Sequence, residues 1–426
     1  MKAWLARVAY STLLRLLTPA YLLRLWWRGR REPLYRHALA ERLGFGAACA
    51  APGAVWLHAV SLGETRAAAA LVDALRRQRP GLRLLLTHGT ATGREAGRAL
   101  LRDGDAQSWL PWDTPGAVRR FLRRQCPAVG VLMETEIWPN LLREARAAGL
   151  PMVLANARLS EKSLARSLRI DALIRPVAAT VARVLAQTDA DAQRLRRAGA
   201  LQVQVCGNLK FDVSPSPELL ERGQSWRRGV ARPVVLAAVT REGEEESLLR
   251  CWQRLQQPRP LLLLVPRHPQ RFDAVAGLVA GCGMTLWRRS AWDAQPPAEA
   301  AVADVWLGDS MGEMPLYYAA ADVALLGGSF APFGGQNLIE AAACGCPLLM
   351  GPHTYNFSEA AELSLAAGAS QRVADIEEGV ARAVALAHDA SRDAWVQRAL
   401  AFAAAHRGAA ERMVREILAA AGSRLA

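Results

Sequence analysis

Short, almost unbroken apolar runs alternate with helical stretches along most of this chain, and the alternation occurs twice. Val55-Trp-Leu-His-Ala-Val60, Arg83-Leu-Leu-Leu-Thr87, Val129-Gly-Val-Leu-Met133 and Met152-Val-Leu-Ala155 read as strands. Helical patterns follow, from about Glu64 to Arg79 after the first and from Thr92 to Arg102 after the second. The rhythm breaks at Val213-Ser-Pro-Ser-Pro217 and resumes with Pro233-Val-Val-Leu-Ala-Ala-Val239, Leu261-Leu-Leu-Leu-Val265, Met284-Thr-Leu-Trp287, Val323-Ala-Leu-Leu326 and Pro347-Leu-Leu-Met350. Strands apolar along their whole length, separated by 10–15-residue helices, require a parallel sheet covered on both faces (about 10–15 residues is the crossover length). The expectation is an α/β chain with two doubly wound, Rossmann-like domains, joined by a linker over 213–232. Ligands are expected in a crevice at the carboxyl ends of their strands. On this pattern alone a periplasmic-type binder or a two-domain dehydrogenase suits equally.

Composition narrows the classes. With 426 residues, 51% hydrophobic and 22% charged, the chain is neither disordered nor collagen-like, and two domains are expected from its length. Lys and Arg number 53 against 39 acids, a formal charge of +14 that favours anionic partners. No zinc-finger spacing, basic zipper or aromatic-basic platform points to nucleic acid, and no G-x-G-x-x-G or P-loop occurs. Seven scattered cysteines read as reduced thiols, and no histidine or cysteine spacing calls for a metal.

Seven bases and no acid lie between Met1 and Arg31, among Leu, Trp and Tyr. The longest uncharged run, Leu16 to Leu23, is eight residues, far below the roughly 20 that span a bilayer. Residues 1–45 therefore read as a segment lying on an anionic membrane, with Trp26 and Trp27 at headgroup depth beside Arg28, Arg30 and Arg31. The alternative is a helix docked on its own protein.

Candidate chemistry clusters after strands. His58-Ala-Val-Ser61-Leu-Gly63-Glu64 places a carboxylate at a helix start, where N–H groups and the helix dipole should keep it ionised. It can act as a general base, or Ser61 and Glu64 can simply form a capping box. In Met133-Glu134-Thr-Glu136-Ile-Trp138-Pro139-Asn140 the two acids, two apart on non-helical chain, should diverge, one serving the site and the other capping the next helix. Gly207-Asn208-Leu-Lys210-Phe-Asp212 offers a lysine for an anionic substrate, or a solvated one. The second half supplies Arg267-His268, Gly308-Asp309-Ser-Met311-Gly312-Glu313, Gly327-Gly328-Ser329 and Gly334-Gly335-Gln336-Asn337-Leu338-Ile339-Glu340. Glycines before Asn337 permit close backbone approach to a phosphate, and Glu340 could accept from ribose hydroxyls.

The ordered set S-L-G-E, M-E-T-E-I-W-P-N, G-N-L-K-F-D, P-R-H-P-x-R-F, G-D-S-M-G-E and G-G-S-F-x-P-x-G-G-Q-N-x-x-E, spread over about residues 55–360, resembles the 3-deoxy-D-manno-octulosonic acid (Kdo) transferases. These glycosyltransferases add Kdo to the lipid A precursor of Gram-negative bacteria in lipopolysaccharide biosynthesis. The resemblance implies a GT-B fold with an N-terminal membrane-associated helix, an acceptor-binding domain over 46–212 and a CMP-sugar-binding domain over 233–426. It implies CMP-Kdo as donor, the 6′-hydroxyl of the tetraacyl precursor lipid IVA as acceptor, no metal or cofactor, and a place on the cytoplasmic face of the inner membrane. By the same resemblance Glu64 is the proton acceptor, and Glu134 and Lys210 stabilise the transition state. Arg267, His268, Met311, Gly312, Glu313, Asn337, Leu338, Ile339 and Glu340 would hold the cytidylate. Arg241 and Gln336 stand where the family usually has His, and His88-Gly89 is atypical of its T-x-T-x-T-G. Rival readings are a GT-B enzyme using a UDP-sugar on another lipid, a sugar-nucleotide 2-epimerase, and a membrane-bound binding protein without catalysis.

Overall fold

The computed structural model describes residues 1–46, 52–212 and 214–425. Cys49 and Val213, the expected first residue of the linker, lie outside the described residues. The chain divides into two compact units, Met1–Asp212 with Arg407–Ala426, and Val213–His406.

The first unit holds a seven-stranded sheet of β1 (Val55–His58), β2 (Leu84–His88), β3 (Ala106–Trp109), β4 (Val129–Met133), β5 (Met152–Ala157), β6 (Arg183–Ala186) and β7 (Val203–Val205). Every pairing is parallel, in the order β3-β2-β1-β4-β5-β6-β7. Successive residues of β1 enter opposite cores, as the two-residue period of a strand demands. Val55 and Leu57 join Val129, Val131, Met413 and Ile417, while Trp56 joins Leu132, Leu154, Phe121 and Leu141. Both faces are covered, which is why these strands show no polar alternation.

The second unit repeats the scheme with β8 (Val234–Thr240), β9 (Leu261–Pro266), β10 (Leu286–Arg288), β11 (Val305–Leu307), β12 (Val323–Leu326), β13 (Leu348–Met350) and β14 (Ser370–Arg372). Their order is β10-β11-β9-β8-β12-β13-β14, again all parallel. Sequence reasoning anticipated neither β3, β7 and β14, edge strands that are only partly buried and carry Gln or Ser, nor the short inner strands β6 and β11.

Two boundaries differ from the sequence reading. Most of the stretch expected as linker is a helix, Pro217–Arg228, capped by Ser216 and built into the second unit. Its Trp226 packs edge-on against Trp292 and Trp306, and a Cβ on Gly223 would come within 2.3 Å of Leu316 O. At the other end, the helix Ala409–Ala421 returns to the first unit, although 233–426 was expected as one domain. Its buried Met413, Val414 and Ile417 fill the core beneath β1 and β4. Asp212 anchors it, accepting from Gly408 N and Ala410 N at 2.5 Å each.

The N-terminal helix runs Lys2–Arg28, and no helix among the described residues is long and apolar enough to cross a membrane. One side is pinned down: Tyr10 Oη donates to Asp113 Oδ2 at 2.8 Å, Ser11 Oγ donates to Asn140 Oδ1 at 2.9 Å, and Tyr21 stacks on Trp112. The rest exposes Trp4, Leu5, Leu13, Leu16, Leu23, Trp26 and Trp27.

Candidate active site

Each sheet has a central place where the strand order reverses, between β1 and β4 in the first and between β8 and β12 in the second. There successive crossovers leave in opposite directions, so the loops at the strands' carboxyl ends diverge and leave room for a ligand. Glu64, Glu134 and Asn337 to Glu340 follow these strands, while Lys210, Arg267, His268 and Met311 to Glu313 follow β7, β9 and β11.

After β1 the chain turns at Val60 and Ser61 into the helix Leu62–Gln78. Val60 N donates to Glu64 Oε2 at 2.8 Å, Ser61 Oγ donates to Glu64 Oε1 at 3.1 Å, and Glu64 N donates back to Ser61 Oγ at 3.4 Å. A variant of the capping box therefore closes the helix end, with the return bond coming from Val60 N, one residue before the cap. It does not exhaust the carboxylate, which has about four acceptor sites and uses one per oxygen here. Glu64 is half-buried, and desolvation lifts its pKa above the ordinary value, helped by the charge of Glu134. Bonds from Val60 and Ser61 and the charge of Arg158 pull the other way. Sequence reasoning counted the helix-end donors and missed the desolvation, which outweighs them.

Glu134 is the first residue beyond β4. Its backbone is left-handed, φ +57°, a conformation costing a non-glycine residue about 1–3 kcal/mol. Two bonds keep it there: Glu134 N donates to Ala155 O at 2.9 Å, and Arg158 Nε donates to Glu134 Oε2 at 2.7 Å. Glu136 turns to another partner, Trp138 Nε1, which donates to its Oε2 at 2.7 Å. Burial first, then the charges of Glu64 and Glu134, push Glu136 up to about 7. The two acids diverge as expected, but neither caps the following helix Pro139–Ala147. Asp113 does, accepting from Asn140 N at 3.1 Å and Leu141 N at 2.7 Å. Burial raises Asp113 to about 6 against the pull of these donors and of Tyr10.

Lys210 lies in the short turn Leu209–Phe211, packed against the helix that Glu64 opens. A polar relay brings that turn to the end of β5. Leu209 N donates to Asn156 Oδ1 at 3.0 Å, Gln187 Nε2 to Asn156 O at 2.9 Å, and Asn208 Nδ2 to Gln187 Oε1 at 2.9 Å. Asn156 is fully buried and left-handed at φ +52°. Glu64, Glu134, Glu136 and Lys210 thus occupy one edge of the sheet. His58, in the same motif as Glu64, does not join them: it is buried against Thr87, and desolvation lowers it to about 3.

In the second unit the loops after β8 and β12 are joined by one carboxylate. Glu244 Oε2 accepts from Gly328 N at 2.7 Å and Arg241 N at 2.8 Å, and its Oε1 accepts from Phe330 N and Ala331 N at 3.1 Å each. Glycine is required at 327, where a Cβ would stand 2.4 Å from Val239 O. Arg241 extends over the Phe333 ring at 4.3 Å. Arg267 and His268, half-buried, continue β9, with Arg267 N donating to Thr240 O at 2.9 Å. Met311 is exposed and Gly312 left-handed at φ +81°. Glu313 accepts from Arg289 Nε and Nη2 at 2.9 and 3.0 Å and from Ser310 Oγ at 2.6 Å. Asn337 Oδ1 accepts from Ile339 N at 3.2 Å, so the residue expected at a phosphate caps its own short helix, Leu338–Ala343. Burial raises the pKa of Glu340.

Arg158, Asn156, Gln187, Asp113 and Glu244 escaped the sequence reading. Three follow recognised strands directly, in Ala155-Asn156-Ala157-Arg158 and Val239-Thr-Arg-Glu-Gly-Glu244, and that placement was the available signal. Asp113 and Gln187 follow β3 and β6, strands that were themselves missed.

Comparison with known proteins agrees with the fold and names the family. Acinetobacter baumannii MurG superposes with a TM-score of 0.55 at 14% identity, covering 86% of this chain and all of that one. A UDP-GlcNAc 2-epimerase from Neisseria meningitidis gives 0.55 at 15% identity, covering 86% and 99%. These likenesses speak to the GT-B fold alone. A family model described as 3-Deoxy-D-manno-octulosonic-acid transferase (kdotransferase) matches residues 37–213. A 3-deoxy-D-manno-octulosonic acid transferase of Bordetella pertussis is 48% identical over 423 residues, 96% of this chain and 98% of its own length. One from Haemophilus influenzae is 37% identical over 83% of this chain and 84% of its own. With that identity running nearly end to end, over a fold and an ordered motif set that agree, the chain belongs to the 3-deoxy-D-manno-octulosonic acid transferase family of glycosyltransferases.

Proposed function

We propose that the protein moves Kdo from CMP-Kdo to the 6′-hydroxyl of lipid IVA with inversion at the anomeric carbon. The observation that carries this reading is the gathering of Glu64 and Glu134 where the first sheet reverses its strand order. Glu64 takes the hydroxyl proton as the acceptor oxygen attacks the anomeric carbon. The bond from that carbon to the cytidylate oxygen breaks, and CMP departs with the electron pair. A carboxylate held above its ordinary pKa is a better match to that task than an exposed one. Glu134, clamped by Arg158, faces developing positive charge on the sugar ring, and Lys210 serves the Kdo carboxylate. Arg267, His268, Met311 to Glu313 and Asn337 to Glu340 hold the cytidylate, the last group following the β12 loop that Glu244 ties to the loop after β8. Arg267 takes part of the leaving charge.

The N-terminal helix supports work at the cytoplasmic face of an anionic membrane. It is docked through Tyr10, Ser11 and Tyr21, and it still exposes a basic, apolar strip with Trp4, Leu16, Trp26 and Trp27. On this proposal the docked reading and the membrane reading apply to different sides of one helix. Since deletion would uncover Asp113 and Trp112, the sharper test is a variant with those four side chains changed to Ser, expected to leave vesicles containing anionic lipid. Retention on vesicles at high salt would mean that another surface binds.

The deciding assay is incubation with CMP-Kdo and labelled lipid IVA. Release of CMP that depends on the lipid is expected. Turnover of a UDP-sugar with no turnover of CMP-Kdo would overturn the proposal.

A further inference from the structure

We propose that an apolar cavity beside Glu134 takes one acyl chain of the acceptor lipid, a deepening that rests on the lipid-acceptor reading above. The cavity, about 270 Å³, lies between the ends of β5 and β6 and the helices Glu161–Arg169, Asp171–Ala178 and Asp189–Arg197. Leu154 and Val184 line it from the strands and Ile174 and Leu195 from the helices, together with the small residues Ala198 and Ala200. An engineered apolar cavity of about 150 Å³ takes benzene, so this one has room for roughly ten carbons of a chain. Ten of its fourteen lining residues are apolar, and Thr135, Arg158, Ser163 and Ser167 are the exceptions, a balance that suits a hydrocarbon chain better than a sugar or nucleotide.

Three features choose a lipid over another apolar ligand. Thr135 and Arg158 belong to the cavity lining, so it borders the turn that carries Glu134 and Glu136. A chain seated there would bring its headgroup to the candidate catalytic carboxylates. The covering helix is exposed and basic outside, with Lys162, Arg166 and Arg169 next to exposed Leu168 and Ile170, a surface suited to anionic headgroups. The helix Asp171–Ala178 also packs against the N-terminal helix around a second cavity of about 280 Å³ lined by Trp4, Arg7, Leu173 and Pro176. The wall of the acyl cavity is thereby continuous with the strip proposed to lie on the membrane.

Two variants fill the cavity from different walls, Ser167→Phe and Ala198→Leu, each checked by its melting temperature. A dansyl-tagged undecanoic acid should bind the full-length protein with blue-shifted emission, be displaced by lauric acid, and bind each variant about tenfold more weakly or worse. The ratio of kcat/KM for lipid IVA over its deacylated glycan should fall by a similar factor. Unchanged probe affinity in both variants, or an unchanged ratio, would overturn the assignment. Lauric acid with a diazirine at its tail, photolysed on the wild-type chain, reads the cavity even where a variant unfolds. Labelling within residues 154–200 supports the assignment, and labelling confined to residues 2–28 refutes it. Probe capture without lipid-dependent CMP release would keep the cavity and dismiss the acceptor.

Discussion

Arg158 Nε donates to Glu134 Oε2 at 2.7 Å, across the ends of the paired strands β5 and β4, and so holds a buried carboxylate on a left-handed backbone. Neither residue is in the regular part of its strand. Each is one position beyond the ladder, where the chain is free to leave the sheet but the sheet still dictates where it leaves from.

Arg158→Met should leave the Glu134 carboxylate without its cation. Because the guanidinium is more than half exposed, the stability loss should be modest, about 1 kcal/mol. The kcat should fall further than that, by about tenfold or more, since Glu134 loses its orientation. Thermal melting and steady-state kinetics on the same preparation separate the two effects. A large stability loss with normal kcat would make the pair purely structural.

Glu64→Gln preserves the capping box, because a glutamine oxygen can still accept from Val60 N. The variant should melt within a few degrees of wild type and bind CMP-Kdo normally, yet lose about 10²–10⁴ in kcat. Activity near wild type in a folded variant would leave Glu64 only its helix-end role.

Glu136 gives a signed pH dependence. Its folded pKa, about 7, lies above its ordinary value of 4.5, because burial and the neighbouring acids disfavour its charge. Between those values the folded chain binds more protons than the unfolded one, so this group's contribution to stability falls as pH rises through the window. Glu136→Gln removes the titration and keeps an acceptor for Trp138. The gain in melting temperature over wild type should therefore be larger at pH 8 than at pH 5, by roughly 2 °C or more. Equal differences at both pH values would contradict the assignment.

Glu244→Ala strips four backbone N–H groups of the loops after β8 and β12 of their common acceptor. A loss of about 3 kcal/mol is expected, together with a raised KM for CMP-Kdo and little change in that for the lipid. Urea unfolding and donor titration provide the check; a raised KM for the lipid alone would place these loops elsewhere in the reaction.

Glu64 and Glu134 were legible as candidates because each follows an apolar strand within a few residues, whereas Lys210 follows the unanticipated β7 and was singled out by its motif, Gly207-Asn208-Leu-Lys210-Phe-Asp212. Their partners were less so. Asp113, which caps the helix after Glu134, lies some twenty residues away in sequence, beyond a strand with the polar pattern Ala106-Gln-Ser-Trp109. Asn156 and Gln187 reach the Lys210 turn only because β5 and β6 are neighbours in the sheet.

What the amino-acid order determined by itself is local: apolar runs buried on both faces must become parallel strands, and the turn after each must carry the polar residues. That is enough for two doubly wound sheets and for the family. Tertiary structure alone decided that the helix 409–421 completes the first unit, that Pro217–Arg228 is no linker, and which side of the N-terminal helix is docked. It also set the protonation chemistry of Glu64 and Glu136, because desolvation depends on what is packed around a carboxylate and not on its neighbours along the chain.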